Sequence, residues 1–172
     1  RFYHEDRWGG EMNWTPAYRG GDQVYGESIY TKRYELLGSY QLPTSENLIT
    51  SFSYNYHDQD SRYGERSFIA HQQIAFGQLR WDRKLGAHDL LAGASIRYTN
   101  YVDNTSATQP GNPSSFRLRN TWLPGLFVQD EISMVPKHKL LLGFRYDHNS
   151  IYGNIYTPRL GYKWSINDNN SL

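Results

Sequence analysis

Asp89-Leu90-Leu91-Ala92-Gly93-Ala94-Ser95-Ile96-Arg97-Tyr98-Thr99-Asn100-Tyr101 is the stretch on which the fold turns. Leu90, Ala92, Ala94, Ile96 and Tyr98 fall on one face, and Gly93, Ser95, Arg97 and Thr99 on the other. A period of two belongs to a β-strand, whose successive side chains point to opposite sides of a sheet. Upstream, Gly86-Ala87-His88 turns the chain out of a second strand, Gln72 to Leu85, in which Leu79 and Trp81 oppose Gln78, Arg80 and Asp82. Earlier still, Tyr30, Tyr34, Leu36, Tyr40 and Leu42 alternate with Thr31, Arg33, Glu35, Ser39 and Gln41. Across the polar turn Pro43 to Asn47, the residues Leu48, Thr50, Phe52, Tyr54 and Tyr56 alternate with Ser51, Ser53, Asn55, His57 and Gln59.

Downstream, Thr121 to Val135 pairs with Lys139 to Asp147 across Pro136-Lys137-His138, and a last strand runs from Tyr156 to Ile166 before the polar turn Asn167 to Ser171. The expectation is therefore an all-β, antiparallel, up-and-down sheet of about seven strands, each near or above the ~9–11 residues that cross a bilayer at a tilt. Connections alternate in length. Short turns follow Gln41, Leu85, Val135 and Ile166, whereas long polar loops are expected over His4–Ser28, Asp58–His71, Val102–Asn120 and His148–Ile155. Transmembrane barrels have this asymmetry, with turns on the periplasmic side and loops outside.

Composition agrees. Aromatic residues make up 16% of the chain although mean hydropathy is only -0.77, a combination that arises when alternate residues meet lipid and Tyr and Trp gather at the headgroups. No apolar run approaches the ~20 residues of a membrane-crossing helix. The polar faces are also unusual for a dry core: Arg33, Glu35, Arg80, Asp82, Arg97, Arg145, Asp147, Arg159 and Lys163 all lie on them, as suits a wet lumen. The competing reading, a soluble β-sandwich binding module, would have to place all these charges on its outer surface.

An up-and-down barrel closes with an even number of strands. An odd count, together with an opening on Arg1-Phe2-Tyr3 that has neither methionine nor signal peptide, reads as processing, truncation or a window cut from a larger barrel. Such a window is expected not to insert alone as a closed pore, because unpaired sheet edges are not tolerated in hydrocarbon.

The pair Phe127-Val128-Gln129-Asp130-Glu131-Ile132 and Leu142-Gly143-Phe144-Arg145-Tyr146-Asp147, continued by Tyr156-Thr157-Pro158-Arg159-Leu160-Gly161-Tyr162-Lys163 and Asn170-Ser171-Leu172, resembles TonB-dependent outer-membrane receptors. Tyr25-Gly26-Glu27-Ser28-Ile29-Tyr30 and Phe76-Gly77-Gln78-Leu79 resemble those of the Bacteroidetes. The resemblance implies that residues 1–172 are an internal part of a larger receptor barrel in the outer membrane of a Gram-negative bacterium. The plug domain and the C-terminal strands would lie outside this window. It implies energy-coupled uptake of a scarce ligand such as a siderophore, cobalamin or another metal chelate. Its expected partners are membrane lipid, the receptor's own plug, TonB and the ligand. A passive porin is the membrane alternative.

Ligand contacts are expected from the loop end. The first loop offers Arg7, Trp8, Trp14, Tyr18, Arg19 and Tyr25, and the second Tyr63, Arg66 and His71. Packing of these aromatics within the loops is the bland alternative. Arg33, Glu35, Arg97, Arg145, Asp147 and Arg159 are expected to face the lumen. A calcium or haem site built on His57, Asp58, Asp60 and the loop histidines is conceivable but short of ligands, so neither metal nor cofactor is expected. With no nucleophile motif, no phosphate loop and no cysteine, the chain does not read as an enzyme. A net charge of +1 gives no reason to expect nucleic acid.

Overall fold

A computed structural model describes residues 1–105, 119–167 and 170–171. They form one antiparallel sheet in which every strand neighbours the next in sequence. The strands are β1 (Phe2–Gly10), β2 (Gly26–Gln41), β3 (Asn47–Tyr63), β4 (Arg66–Leu85), β5 (His88–Asp103), β6 (Arg119–Val135), β7 (His138–Asn149), β8 (Gly153–Asn167) and the two-residue β9 (Asn170–Ser171). Between β1 and β2 lies a single 3-10 turn, Pro16–Tyr18. Sequential order is the up-and-down meander expected from the turn signals. Most strands run to 16 residues or more, well beyond the ~9–11 that a bilayer requires.

That excess corrects the loop boundaries. The expected loop His4–Ser28 contains β1 and the first residues of β2, which pair in unbroken register from Phe2↔Tyr34 to Gly10↔Gly26. The expected loop Asp58–His71 is the end of a hairpin that turns at Gly64-Glu65, with Gly64 at a φ of 57°. The expected loop His148–Ile155 shrinks to residues 150–152. Most of the expected Val102–Asn120 loop lies outside the described residues. Polar sequence at these strand ends looks like loop because neither face carries an apolar row, so alternation has nothing to alternate.

Contacts divide the chain into two units: residues 1–37, 53–75 and 98–120 form the first, and 38–52, 76–97 and 121–172 the second. In the second unit the ladder of β7 and β8 is regular across the whole hairpin. One face carries the pairs His138/Trp164, Leu140/Tyr162, Leu142/Leu160, Phe144/Pro158 and Tyr146/Tyr156. Two aromatic rows thus bracket an aliphatic middle. From Tyr156 to Trp164 the strand runs about 26 Å at roughly 3.3 Å per residue, which at the roughly 35–45° tilt of barrel strands covers about 20 Å of the ~25 Å apolar band of an outer-membrane barrel. The opposite face carries Lys139/Lys163, Leu141/Gly161, Gly143/Arg159, Arg145/Thr157 and Asp147/Ile155.

Burial is inverted relative to a soluble protein. Trp14 and Ala70 are the sole buried apolar side chains among the described residues, whereas Ser28, Thr31, Ser61, Ser95, Asp103 and Asp147 are all buried. Leu126, Val128, Leu142, Phe144, Leu160 and Tyr162 are exposed. A soluble sheet hides its apolar face, and contiguous exposed apolar surface of this extent signals contact with something non-aqueous. We therefore call the apolar side the outer face and the polar side the inner face.

The inner face of the second unit is held by ion pairs between strand neighbours. Arg80 Nε meets Asp82 at 2.8 Å and Lys84 meets Asp89 at 3.6 Å. Lys139 pairs with Glu131, and Arg145 reaches Asp147 at 2.6 Å and the Ser95 hydroxyl at 3.0 Å. Gly125 lies opposite Asp147, and a Cβ there would come within 2.1 Å of the Asp147 carboxylate. The glycine makes room for the pair.

Candidate functional site

A groove of about 540 Å³ opens on the inner face of the first unit. Three adjacent strands build it. β1 contributes Tyr3, Glu5 and Arg7, with Arg1 just before it, β2 contributes Ile29, Thr31, Arg33 and Glu35, and β3 adds His57 and Gln59. Alternation is the reason they converge: odd-numbered residues of β1 and β2 face each other in the register Tyr3↔Arg33, Glu5↔Thr31 and Arg7↔Ile29.

The polar atoms of the groove are organised. Arg33 Nη2 sits 2.6 Å from Glu35 Oε1, which also accepts from Asn55 Nδ2 at 3.2 Å. Arg7 approaches Glu5 at 3.9 Å. His57 bonds to Gln59, whose amide donates to the fully buried Ser61 hydroxyl at 2.9 Å. Each carboxylate in the groove is thus engaged by an arginine, while Arg1 has no carboxylate partner among the described residues. A net positive, hydrogen-bonding concavity with one phenol ring suits an anionic, oxygen-rich ligand.

The outer face of the same unit is a different surface. Residues 11–25 fold back onto it as a strap. Trp14 is buried at 4% exposure, stacks on Trp8 at 5.2 Å and covers Gly26, where a Cβ would come within 2.2 Å of the indole. Arg19 lies over the Tyr30 ring at 4.2 Å, donates to Ser28 Oγ at 2.8 Å and pairs with Asp60 at 3.0 Å. Ser28 and Tyr30 belong to the even-numbered row of β2 that continues into Tyr34, so the strap covers the side away from the groove.

The expected ligand contacts therefore fall in three places. Arg7 lines the groove, together with Arg33 and Glu35. Trp8, Trp14 and Arg19 hold the strap on the outer face. Tyr18 borders a recess in the strap, and Tyr25, Tyr63 and Arg66 line another with Asp22, Glu27 and Glu65 at the hairpin tip. There Asp22 Oδ1 accepts from the Glu65 amide at 3.0 Å, and the Tyr25 phenol donates to Glu27 at 2.9 Å. That bond, followed by partial desolvation, raises the Tyr25 pKa above its usual value. His71 pairs with Asp58 at 2.8 Å. Arg97, Arg145, Asp147 and Arg159 lie on the inner-face rows of β5, β7 and β8. No three His, Asp or Glu side chains among the described residues are arranged to hold a metal ion.

Sequence reasoning missed Arg1, Tyr3, Glu5 and Ile29, because β1 was read as loop. The signal was present only as pairing potential: Tyr3, Glu5 and Arg7 share one parity, but His4, Asp6 and Trp8 on the other are no more apolar.

Comparison with known proteins bears on the whole chain. The sequence model of the family described as TonB dependent receptor-like, beta-barrel matches residues 1–172. No curated protein matches the sequence. Among solved structures, the fold is similar to the siderophore receptor PirA from Pseudomonas aeruginosa, with a TM-score of 0.62 and 14% identity over 84% of this chain and 25% of that one. It is also similar to a mutant of the ferric enterobactin receptor PfeA from the same organism, with a TM-score of 0.61 and 18% identity over 83% of this chain and 24% of that one. PirA from Acinetobacter baumannii gives a TM-score of 0.60 and 15% identity. This chain spans about a quarter of the length of these structures.

Proposed function

From the premise that this chain belongs to the TonB-dependent receptor family, as part of its β-barrel, we propose that the intact protein is an outer-membrane receptor of a Gram-negative bacterium. It imports a scarce, anionic metal chelate, of the siderophore class or similar, by TonB-coupled transport across a barrel that a plug occludes. The inner-face groove of β1, β2 and β3 forms part of the ligand's route. The observation that carries the reading is the placement of Arg1, Arg7, Arg33, His57 and Gln59 together on the inner face, from the middle of β2 towards the loop end. Both groove carboxylates are already neutralised, so the surplus charge attracts an anion.

The experiment is uptake of iron-labelled enterobactin and, separately, cobalt-labelled cobalamin. Cells carry the intact protein as their sole receptor, with or without TonB. We expect TonB-dependent uptake of the ferric chelate that falls about tenfold in Arg7→Glu/Arg33→Glu, equivalent to ~1.4 kcal/mol of lost interaction. Uptake that persists without TonB would make the protein a passive porin. TonB-dependent uptake of cobalamin alone, unchanged by the arginine substitutions, would move the ligand class away from anions.

A further inference from the structure

On the outer face of the second unit, two basic side chains flank the β4–β5 turn Gly86-Ala87. Arg83 stands on β4 in the row of Leu79 and Trp81, and His88 opens β5 in the row of Leu90, Ala92 and Ala94. Each is braced by a carboxylate. Arg83 Nη1 donates to Glu46 Oε1 at 2.9 Å, and the other oxygen of Glu46 accepts from Trp81 Nε1 at 2.9 Å. His88 Nδ1 meets Asp130 Oδ2 at 2.7 Å. A carboxylate only accepts, so Nδ1 carries the hydrogen, and the imidazolium form presents Nε2–H outward.

Asp130 is out of keeping with its surroundings. Its neighbours on the outer row of β6 are Leu126, Val128 and Ile132, and its Oδ1 is the one buried side-chain polar atom without a hydrogen-bond partner among the described residues. A half-satisfied carboxylate in an apolar row is costly, so the cost is offset by what the carboxylate holds. Ser133 N–H donates to the Ala87 carbonyl at 2.8 Å, which sets this part of β6 beside the β4–β5 turn. Asp130 also shares a register row with Leu142, but barrel strands are tilted. The row therefore descends across the wall, reaching the turn at β5 while β6 and β7 run on to Pro136-Lys137. The cluster lies where the apolar outer face gives way to the periplasmic rim.

We propose that Arg83 and His88 clamp the phosphate of a glycerophospholipid in the periplasmic leaflet of the membrane. What the cluster offers outward decides the sign of the ligand. Both Glu46 oxygens and Asp130 Oδ2 are taken and Asp130 Oδ1 is buried, so a headgroup ammonium finds no free acceptor. Arg83 Nε and Nη2 and His88 Nε2 have no partner among the described residues. Guanidinium and imidazolium N–H groups match phosphate oxygens. A lipid phosphate, rather than a free one, follows from the place. Leu79, Leu126 and Val128, further along the same face, are exposed and suit an acyl chain, and Trp81 is the ring type that settles at headgroup level. The inference takes from the receptor reading only that the outer face meets the bilayer.

The test is native mass spectrometry of the intact protein in a neutral detergent, with phosphatidylglycerol, with diacylglycerol of the same chains and with inorganic phosphate. We expect phosphatidylglycerol to be retained in preference to diacylglycerol and not to be displaced by inorganic phosphate at the same concentration. Arg83→Gln with His88→Gln should weaken retention about tenfold, matching ~1.4 kcal/mol, while Lys84→Gln, on the inner face of the same rim, should not change it. If the double variant fails to assemble, His88→Gln alone takes its place and should weaken retention in the same direction. Asp130→Val separates bracing from bulk charge. It removes a negative charge, which by itself would strengthen binding of an anion, yet loss of the brace on His88 should weaken it. Equal retention of diacylglycerol, displacement by phosphate, no loss in the Arg83 and His88 variants, or tighter binding in Asp130→Val would overturn the proposal. The readout needs neither transported ligand nor TonB. Selective lipid retention without coupled uptake would sink the transport reading alone, and coupled uptake with unselective retention would sink this one alone.

Discussion

The outer face of the β7–β8 hairpin and the outer face of the first unit are built on the same alternating backbone, and they carry opposite coverings. On β7 and β8 the row from Tyr146/Tyr156 to His138/Trp164 is apolar, exposed and uncovered. In the first unit the even-numbered row of β1, β2 and β3 passes from the Phe2, Tyr34 and Tyr56 rings into Ser28, Asp58 and Asp60, with His71 of β4 paired to Asp58. There a strap pinned by Trp14 and Arg19 covers part of it. Alternation alone does not say what a sheet face meets; its covering does. A contiguous exposed row of leucine and valine suits hydrocarbon, whereas buried serine and paired arginine and aspartate suit a face with protein or water on it. The strands are longer than a bilayer needs because each of β2 to β5 carries both kinds of surface.

Sharpening this contrast begins with the largest expected effect. Leu142→Arg places a charge in the middle of the aliphatic row and should cost roughly 2–4 kcal/mol of barrel stability, the penalty for a cation at mid-bilayer depth. Thr157→Glu, on the inner face opposite Arg145, should cost less than about 1 kcal/mol, since lumenal positions tolerate charge. Urea-dependent unfolding of the intact protein from lipid vesicles measures both. Equal costs would mean that the two faces meet the same medium.

Trp14→Ala should act more locally. Loss of a buried indole costs about 3–5 kcal/mol, and here it should loosen residues 11–25 without preventing assembly. Limited proteolysis of cells should then show new cleavage within the strap while the heat-modifiable barrel band is unchanged. If uptake falls but cleavage does not change, Trp14 is a ligand contact rather than the pin of the strap.

Much of this was legible in the sequence, and the limits have a physical cause. Where one row is apolar, as in Leu90–Tyr98 or Leu140–Tyr146, the strand and its faces could be read from the period of two. The short turns Gly86-Ala87 and Pro136-Lys137 announced themselves through residues that favour turn geometry. The strand ends around His4–Gly10 and Asp58–His71 were hidden because hydrogen bonding to a neighbouring strand needs no apolar side chain. The groove suffered for the same reason: Arg33 and Glu35 were placed on the inner face, but Tyr3 and Glu5 could not join them until β1 was known to be a strand. Aromatic loop composition pointed to Trp14 and Arg19 as ligand contacts. In the structure they hold the outer face of the sheet, since stacking and cation–π contacts serve packing as readily as recognition.

The separation of the two faces can be measured directly, because these 172 residues contain no cysteine and, with any cysteine elsewhere in the intact protein changed to serine, single-cysteine spin labels can be placed along them. In the intact protein in membranes, labels at Leu142, Phe144 and Leu160 should be relaxed by oxygen dissolved in the lipid and protected from a water-soluble nickel chelate. Labels at Gly143, Arg145 and Arg159 should lack that oxygen-rich signature. An alternating profile along β7 and β8 is the expected result, and equal access of the nickel chelate to both sets would contradict a membrane-facing wall.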